Sequence, residues 1–160
     1  MKKFLIACGL LFGILWIYIV IAILFGRYFL ISSEIEISVP ITAKMDYKDS
    51  HGGFHMDGET KAVINFSEKQ AQKFIKKIQS NEHWYELPMD ELLQRHINKL
   101  AEEEMSIPVI QNGYWFVLDR SSMAINEYYY DRIFYRGCEN YSVAIFDIDS
   151  NTLYYFKEDT

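Results

Sequence analysis

No charged side chain interrupts residues 4–25, and nearly every position there is apolar. As a helix these residues extend about 33 Å, enough to cross a hydrocarbon core of about 30 Å. The run predicts a transmembrane helix spanning about residues 4–26, within an anchor of residues 1–31. It is longer than the apolar region of a cleavable signal peptide, about 7–15 residues. It also ends in Leu24, Phe25, Gly26 and Arg27 rather than in small residues at a cut site. An uncleaved anchor is the expectation.

Beyond the anchor the period changes. Ile35, Ile37, Val39, Ile41, Ala43, Met45 and Tyr47 alternate with mostly polar residues, the mark of a strand with one buried face. Pro40 lacks an N–H for a ladder and marks an edge or a break. A second strand over residues 60–66 completes an antiparallel hairpin with a long tip. Ser67 and Gln70 then form a capping-box pair ahead of a helix over 68–79, with Ala71, Phe74, Ile75 and Ile78 at helical spacing. Trp84 sits in a connection and is expected to plug the core. A second helix follows over 90–100, turning Leu92, Leu93, Ile97 and Leu100 inward.

The rest of the pattern is sheet-like. Residues 109–111 and 114–118 flank Asn112-Gly113, a pair favoured in tight hairpins. Residues 119–140 are irregular and read as a long loop, whereas 141–147 and 152–157 form a hairpin around Asp149-Ser150-Asn151. Strands segregated from helices predict an α+β fold, an antiparallel sheet with both helices packed on one face. About 130 residues follow the anchor, the size of one domain, assigned to residues 32–160.

Charge adds an orientation. Lys2 and Lys3 precede the apolar run and Arg27 alone closely follows it. Cations are retained on the cytoplasmic side, so a single-pass cell-membrane protein with a cytoplasmic N-terminus and an extracytoplasmic domain is expected. All 22 acidic residues but only 13 of the 16 basic ones lie from residue 28 onward, a net of about −9. This balance excludes nucleic acid as a partner, because phosphates require clustered Lys and Arg. Cys138 is the only cysteine beyond the anchor, so no disulfide can form within the domain.

Candidate chemistry concentrates at residues 49–60. His51, His55 and Asp57 lie among Gly52, Gly53 and Gly58, and imidazole with carboxylate suits zinc. The spacing matches neither a helical His-Glu-x-x-His site nor a calcium loop. The same residues equally describe a hairpin tip whose Asp and His side chains bond local backbone groups. Tyr128, Tyr129 and Tyr130 are a second candidate, either a partner-binding surface or cover for a sheet edge. Cys138 and Ser50 lack the context of a nucleophile, and no catalytic residue is assigned. Cys8 follows Leu5-Ile6-Ala7 in the manner of a lipidation site, but almost no apolar segment precedes it. Gly9 and Gly13 have the spacing of close membrane-helix packing.

The string DSHGGFHMDGET, the strand and helix that follow it, an Asn-x-x-Trp-x-x-Leu-Pro segment and a terminal DSNTLYYF hairpin carry a resemblance over residues 45–160. This stretch resembles a group of small uncharacterised bacterial proteins that pair a membrane or lipid anchor with one extracytoplasmic domain. In that group Gly stands where this chain has Met56. The resemblance implies topology and domain identity, and no activity. Two functions are therefore carried forward: a membrane-tethered, non-enzymatic domain that binds another envelope protein or component, and a zinc-binding or metal-dependent hydrolase site at His51, His55 and Asp57.

Overall fold

A computed structural model describes residues 2–52, 57–89, 91–100, 107–120 and 140–160. The elements are α1 (Lys2–Glu34), β1 (Lys44–Asp49), β2 (Gly58–Asn65), α2 (Glu68–Ile78), β3 (Trp84–Glu86), α3 (Glu91–Leu100), β4 (Gly113–Asp119), β5 (Tyr141–Asp147) and β6 (Thr152–Asp159). The six strands make one antiparallel sheet in the order β1-β2-β6-β5-β4-β3. The fold is α+β. Within α1, the stretch Gly9–Glu34 is long and apolar enough to cross a membrane, its most apolar 18 residues having a mean hydropathy of 2.5. An N-terminal apolar helix of this kind fits a membrane anchor.

Register organises the core. Trp84, Phe116, Ala144, Tyr155, Ala62 and Tyr47 are successive cross-strand partners and form one row over all six strands. This face is covered by Ala71, Phe74 and Ile78 of α2 and by Ile31 and Ile35 at the end of α1. The other face carries Trp115, Val117, Val143, Ile145 and Phe156, covered by Leu93, Ile97 and Leu100 of α3. The two helices thus lie on opposite faces, where the pattern predicts both on one. The reason is visible in β4 and β5, in which every residue is buried. A strand apolar on both sides needs a cover on both sides.

Two further expectations change. Asn112-Gly113 does not turn a hairpin: Gly113 begins β4, whose partners are β3 and β5. A Cβ at Gly113 would lie 2.1 Å from the backbone oxygen of Phe146, so glycine is needed there for close strand approach. The alternation from Ile35 predicts a strand, yet only its second half pairs. Ile35, Ile37 and Val39 are buried at alternate positions, but the backbone there is not laddered, and Glu36 has φ 59°. Alternation reports which side chains face the core, not whether a neighbour strand is present.

Both expected helices form. The Ser67 N–H donates to Oε1 of Gln70 at 2.8 Å, the backward half of the capping box. The β5–β6 hairpin also forms, with Asn151 at φ 54° in its turn. Trp84 is buried as expected. Its indole N–H donates to the carbonyl of Ile35 at 3.0 Å, and its ring lies beside those of Phe74 and Phe116.

The end of α1 is part of this core. Ile31 and Ile35 are at most 1% exposed, and Tyr28 OH donates to the carbonyl of Ala43 at 2.8 Å. Burying an Ile side chain contributes about 1.5–3 kcal/mol. Ile31→Ala is therefore expected to destabilise the full-length protein in detergent by about 2–4 kcal/mol. Phe29→Ala, two positions away and exposed, is expected to change stability by less than about 0.5 kcal/mol, both read from denaturant melts.

Candidate functional site

The sheet face that carries α1 changes character along its strands. One residue row is apolar, as described above. Two residues further along, the matching row reads Leu118, Ser142, Lys157, Thr60 and Asp49. Alternation keeps these side chains on the same face as Phe116, Ala144, Tyr155, Ala62 and Tyr47. At this polar end the sheet and the last turns of α1 enclose a cavity of about 490 Å³. Leu30, Ile31, Ser33 and Glu34 of α1 form one wall; Asp49, His51, Asp57 and Thr60 face them from the β1–β2 hairpin.

His51 is the centre of the hairpin side. Its Nδ1 lies 2.5 Å from Oδ1 of Asp49 and its Nε2 lies 2.9 Å from Oδ2 of Asp159. Carboxylates only accept, so both contacts become hydrogen bonds when both ring nitrogens carry a hydrogen. The backbone N–H of His51 also donates to Oδ1 of Asp49 at 3.1 Å, and Tyr47 OH donates to Oδ2 at 3.3 Å. Gly58 makes this packing sterically feasible. A Cβ there would meet the His51 Cα at 2.6 Å, and φ is +156°.

A charged network continues toward α1. Asp159 accepts from Nη1 of Arg120 at 2.5 Å and lies 3.2 Å from Nζ of Lys157. Lys157 Nζ is also 3.5 Å from Oε1 of Glu34, whose Oε2 accepts from Ser142 Oγ at 3.0 Å. The other Arg120 terminal nitrogen donates to the carbonyls of Tyr141 and Glu158 at 3.1 and 2.9 Å. The last residue of α1 is thereby tied to β5 and β6.

Burial tends to push the Asp159 carboxyl up, but the Arg120 hydrogen bond and charge, then Lys157, outweigh it and hold it below the ordinary carboxylate value. Asp49 behaves alike: burial acts upward, and the His51 side-chain and backbone hydrogen bonds bring it lower. Burial, and then the charge of Glu34, push the Tyr155 hydroxyl far above its usual range. Tyr47 is raised by burial and then by Asp49. Both tyrosines therefore enter the cavity as neutral hydroxyls.

The sequence-predicted candidates divide. His51 and Asp57 both line the cavity; His55 lies outside the described residues, as do Tyr128, Tyr129 and Tyr130. Among the described residues, no group of three His, Cys, Asp or Glu side chains is placed to hold a metal ion. The two His51 nitrogens point to opposite sides of one ring, each toward a different carboxylate. One ion cannot use both. Sequence reasoning missed Glu34, Arg120, Lys157 and Asp159. Their contacts with one another and with His51 join segments up to 108 residues apart, and no local pattern marks such pairs.

Compared with family models, curated proteins and solved structures, the chain matches none.

Both lowered carboxyls favour the fold as anions. Their contribution is complete above the unfolded carboxyl range, about pH 4, and is lost as pH falls through the lower folded-state values. Thermal unfolding from pH 6 to about pH 2.5 is expected to show a falling midpoint, with a shallower fall in Asp49→Asn/Asp159→Asn. Metal analysis of the purified full-length protein is expected to find no stoichiometric zinc and no change in His51→Ala. A bound equivalent lost in that variant would show that the loop takes another arrangement.

Proposed function

We propose that this chain is a single-pass membrane protein whose extracytoplasmic domain binds an envelope component in the cleft beside its anchor. The observation that carries this reading is that α1 itself supplies a wall of the cavity, through Leu30, Ile31, Ser33 and Glu34. A ligand of this cavity meets the protein where the anchor leaves the bilayer. Lys2 and Lys3 on one side of the apolar run, against Arg27 and an acidic excess on the other, support the outward orientation. The resemblance read in residues 45–160 implies the same topology.

Binding is favoured over chemistry by how the reactive groups are committed. His51 is shared between two carboxylates, Asp159 is shared by Arg120, Lys157 and His51, and Glu34 by Lys157 and Ser142. A general base needs a lone pair directed at substrate, and these are directed at one another. The zinc reading has one observation on its side, that His51 and Asp57 share the cavity. It requires a carboxylate to leave His51.

Two measurements test the proposal. Protease added to intact cells is expected to digest the domain without lysis; protection until lysis would reverse the orientation. A photocrosslinking residue at exposed Asp57, on the cavity rim, is expected to give a discrete adduct in native membranes. The same residue at exposed Arg95, on α3, is expected to give none.

A further inference from the structure

The α1 face that lines the cleft continues into the membrane segment. Leu30, Gly26, Ile23 and Ile19 follow at helical spacings of four, three and four, so they stack on one side of the helix. Leu30 and Ile23 are 63% and 70% exposed, and a Cβ at Gly26 would meet nothing within 4 Å. An open apolar track with a notch at Gly26 therefore runs from the hydrocarbon region to the cavity.

Height decides what can reach it. The apolar run ends at Phe25, so the hydrocarbon boundary lies near Gly26. Leu30 is then about 6 Å and Glu34 about 12 Å further along the axis. One headgroup layer is about 5–8 Å thick, the difference between the whole bilayer and its hydrocarbon core, halved. For a helix along the bilayer normal, these heights put the opening of the cleft within the headgroup layer and its far end just above it. Its lining combines four carboxylates with Lys157 and His51, together with the hydroxyls of Tyr47, Thr60 and Tyr155. Asp49 keeps 43% of its side chain exposed, and Asp57 is exposed at the rim.

We infer that the cleft binds the headgroup of a zwitterionic phospholipid bearing a primary ammonium, with the acyl chains along the Ile19–Leu30 track. Glu34 and Asp159 are paired within the network, whereas Asp57 and the outer part of Asp49 are open, so the ammonium is the group best matched, and its three N–H donors find acceptors that a quaternary amine could not use. Lys157 is held between Glu34 and Asp159, so the phosphate meets Arg27, whose guanidinium lies over the Tyr47 ring at the mouth of the cleft. An anionic headgroup without an amine brings no cation to Asp57 and Asp49. This inference rests on the cleft being the binding site proposed above and names its ligand class.

The test uses full-length protein purified in a mild detergent and mixed with phosphatidylethanolamine, phosphatidylcholine or phosphatidylglycerol of identical acyl chains, with retained lipid read by native mass spectrometry. The expected result is one phosphatidylethanolamine held at least about tenfold more than either competitor, about 1.4 kcal/mol or more of selectivity. Gly26→Leu should lower retention by obstructing the track, and Asp57→Asn should narrow the preference over phosphatidylglycerol. Both sites are open, so melting temperatures should match the wild type, which separates lost binding from lost folding. Equal retention of all three lipids, no retention, or retention unmoved by both variants overturns the inference. If it fails while the Asp57 adduct still forms and identifies another component, the binding cleft stands and only the ligand class falls; without the adduct, both fall.

Discussion

The constraint on which the rest of the molecule depends is that the helix fitted to cross the membrane ends inside the domain's core. A helix followed by a polar linker would let the domain swivel, and any surface could then meet the bilayer. Here Ile31 and Ile35 are sealed against the sheet, the carbonyl of Ile35 is capped by the Trp84 indole, and Tyr28 is bonded to Ala43. Each tie is individually worth about 1–3 kcal/mol. Together they hold the α1 axis at one angle to the sheet, so the cavity beside Leu30 and Glu34 keeps a fixed distance along the helix from its apolar run.

The polar end of the α1 face follows from that arrangement. A sheet face covered by a helix must be apolar, and the row containing Phe116 and Tyr155 obeys this. The next row meets the Glu34 carboxylate of α1 and need not be apolar, and Ser142, Lys157, Thr60 and Asp49 occupy it. Half-buried charges are tolerable only when paired and hydrogen-bonded. Glu34, Arg120, Lys157, Asp159, His51 and Asp49 meet that condition by forming one chain of contacts. What remains open to a ligand is the rim, Asp57 and the outer part of Asp49, with the neutral hydroxyls behind.

Some expectations failed for reasons that particular residues make plain. Asn112-Gly113 carries a turn signal, but Gly113 is used for strand approach against Phe146, and glycine identity does not distinguish the two uses. The opposite placement of α2 and α3 was legible in principle, because Tyr114-Trp115-Phe116-Val117-Leu118 and Val143-Ala144-Ile145-Phe146 are apolar without alternation. Such runs mean a strand covered on both sides. The charged network was not legible. His51 stood out through its glycine-rich surroundings, whereas Glu34, Arg120 and Lys157 look like ordinary surface charges.

By itself the sequence determined the apolar N-terminal helix, the α+β class, both later helices, and the hairpins formed by β1 with β2 and by β5 with β6. Each rests on a local period or cap that neighbouring residues supply. Only the tertiary structure decided that α1 continues into the core and that its last turn meets β1, β2 and β6 around a charged cleft. Those decisions depend on strand register. Register pairs residues far apart in the chain, and a shift of one position would have turned Asp49, Thr60 and Lys157 to the opposite face.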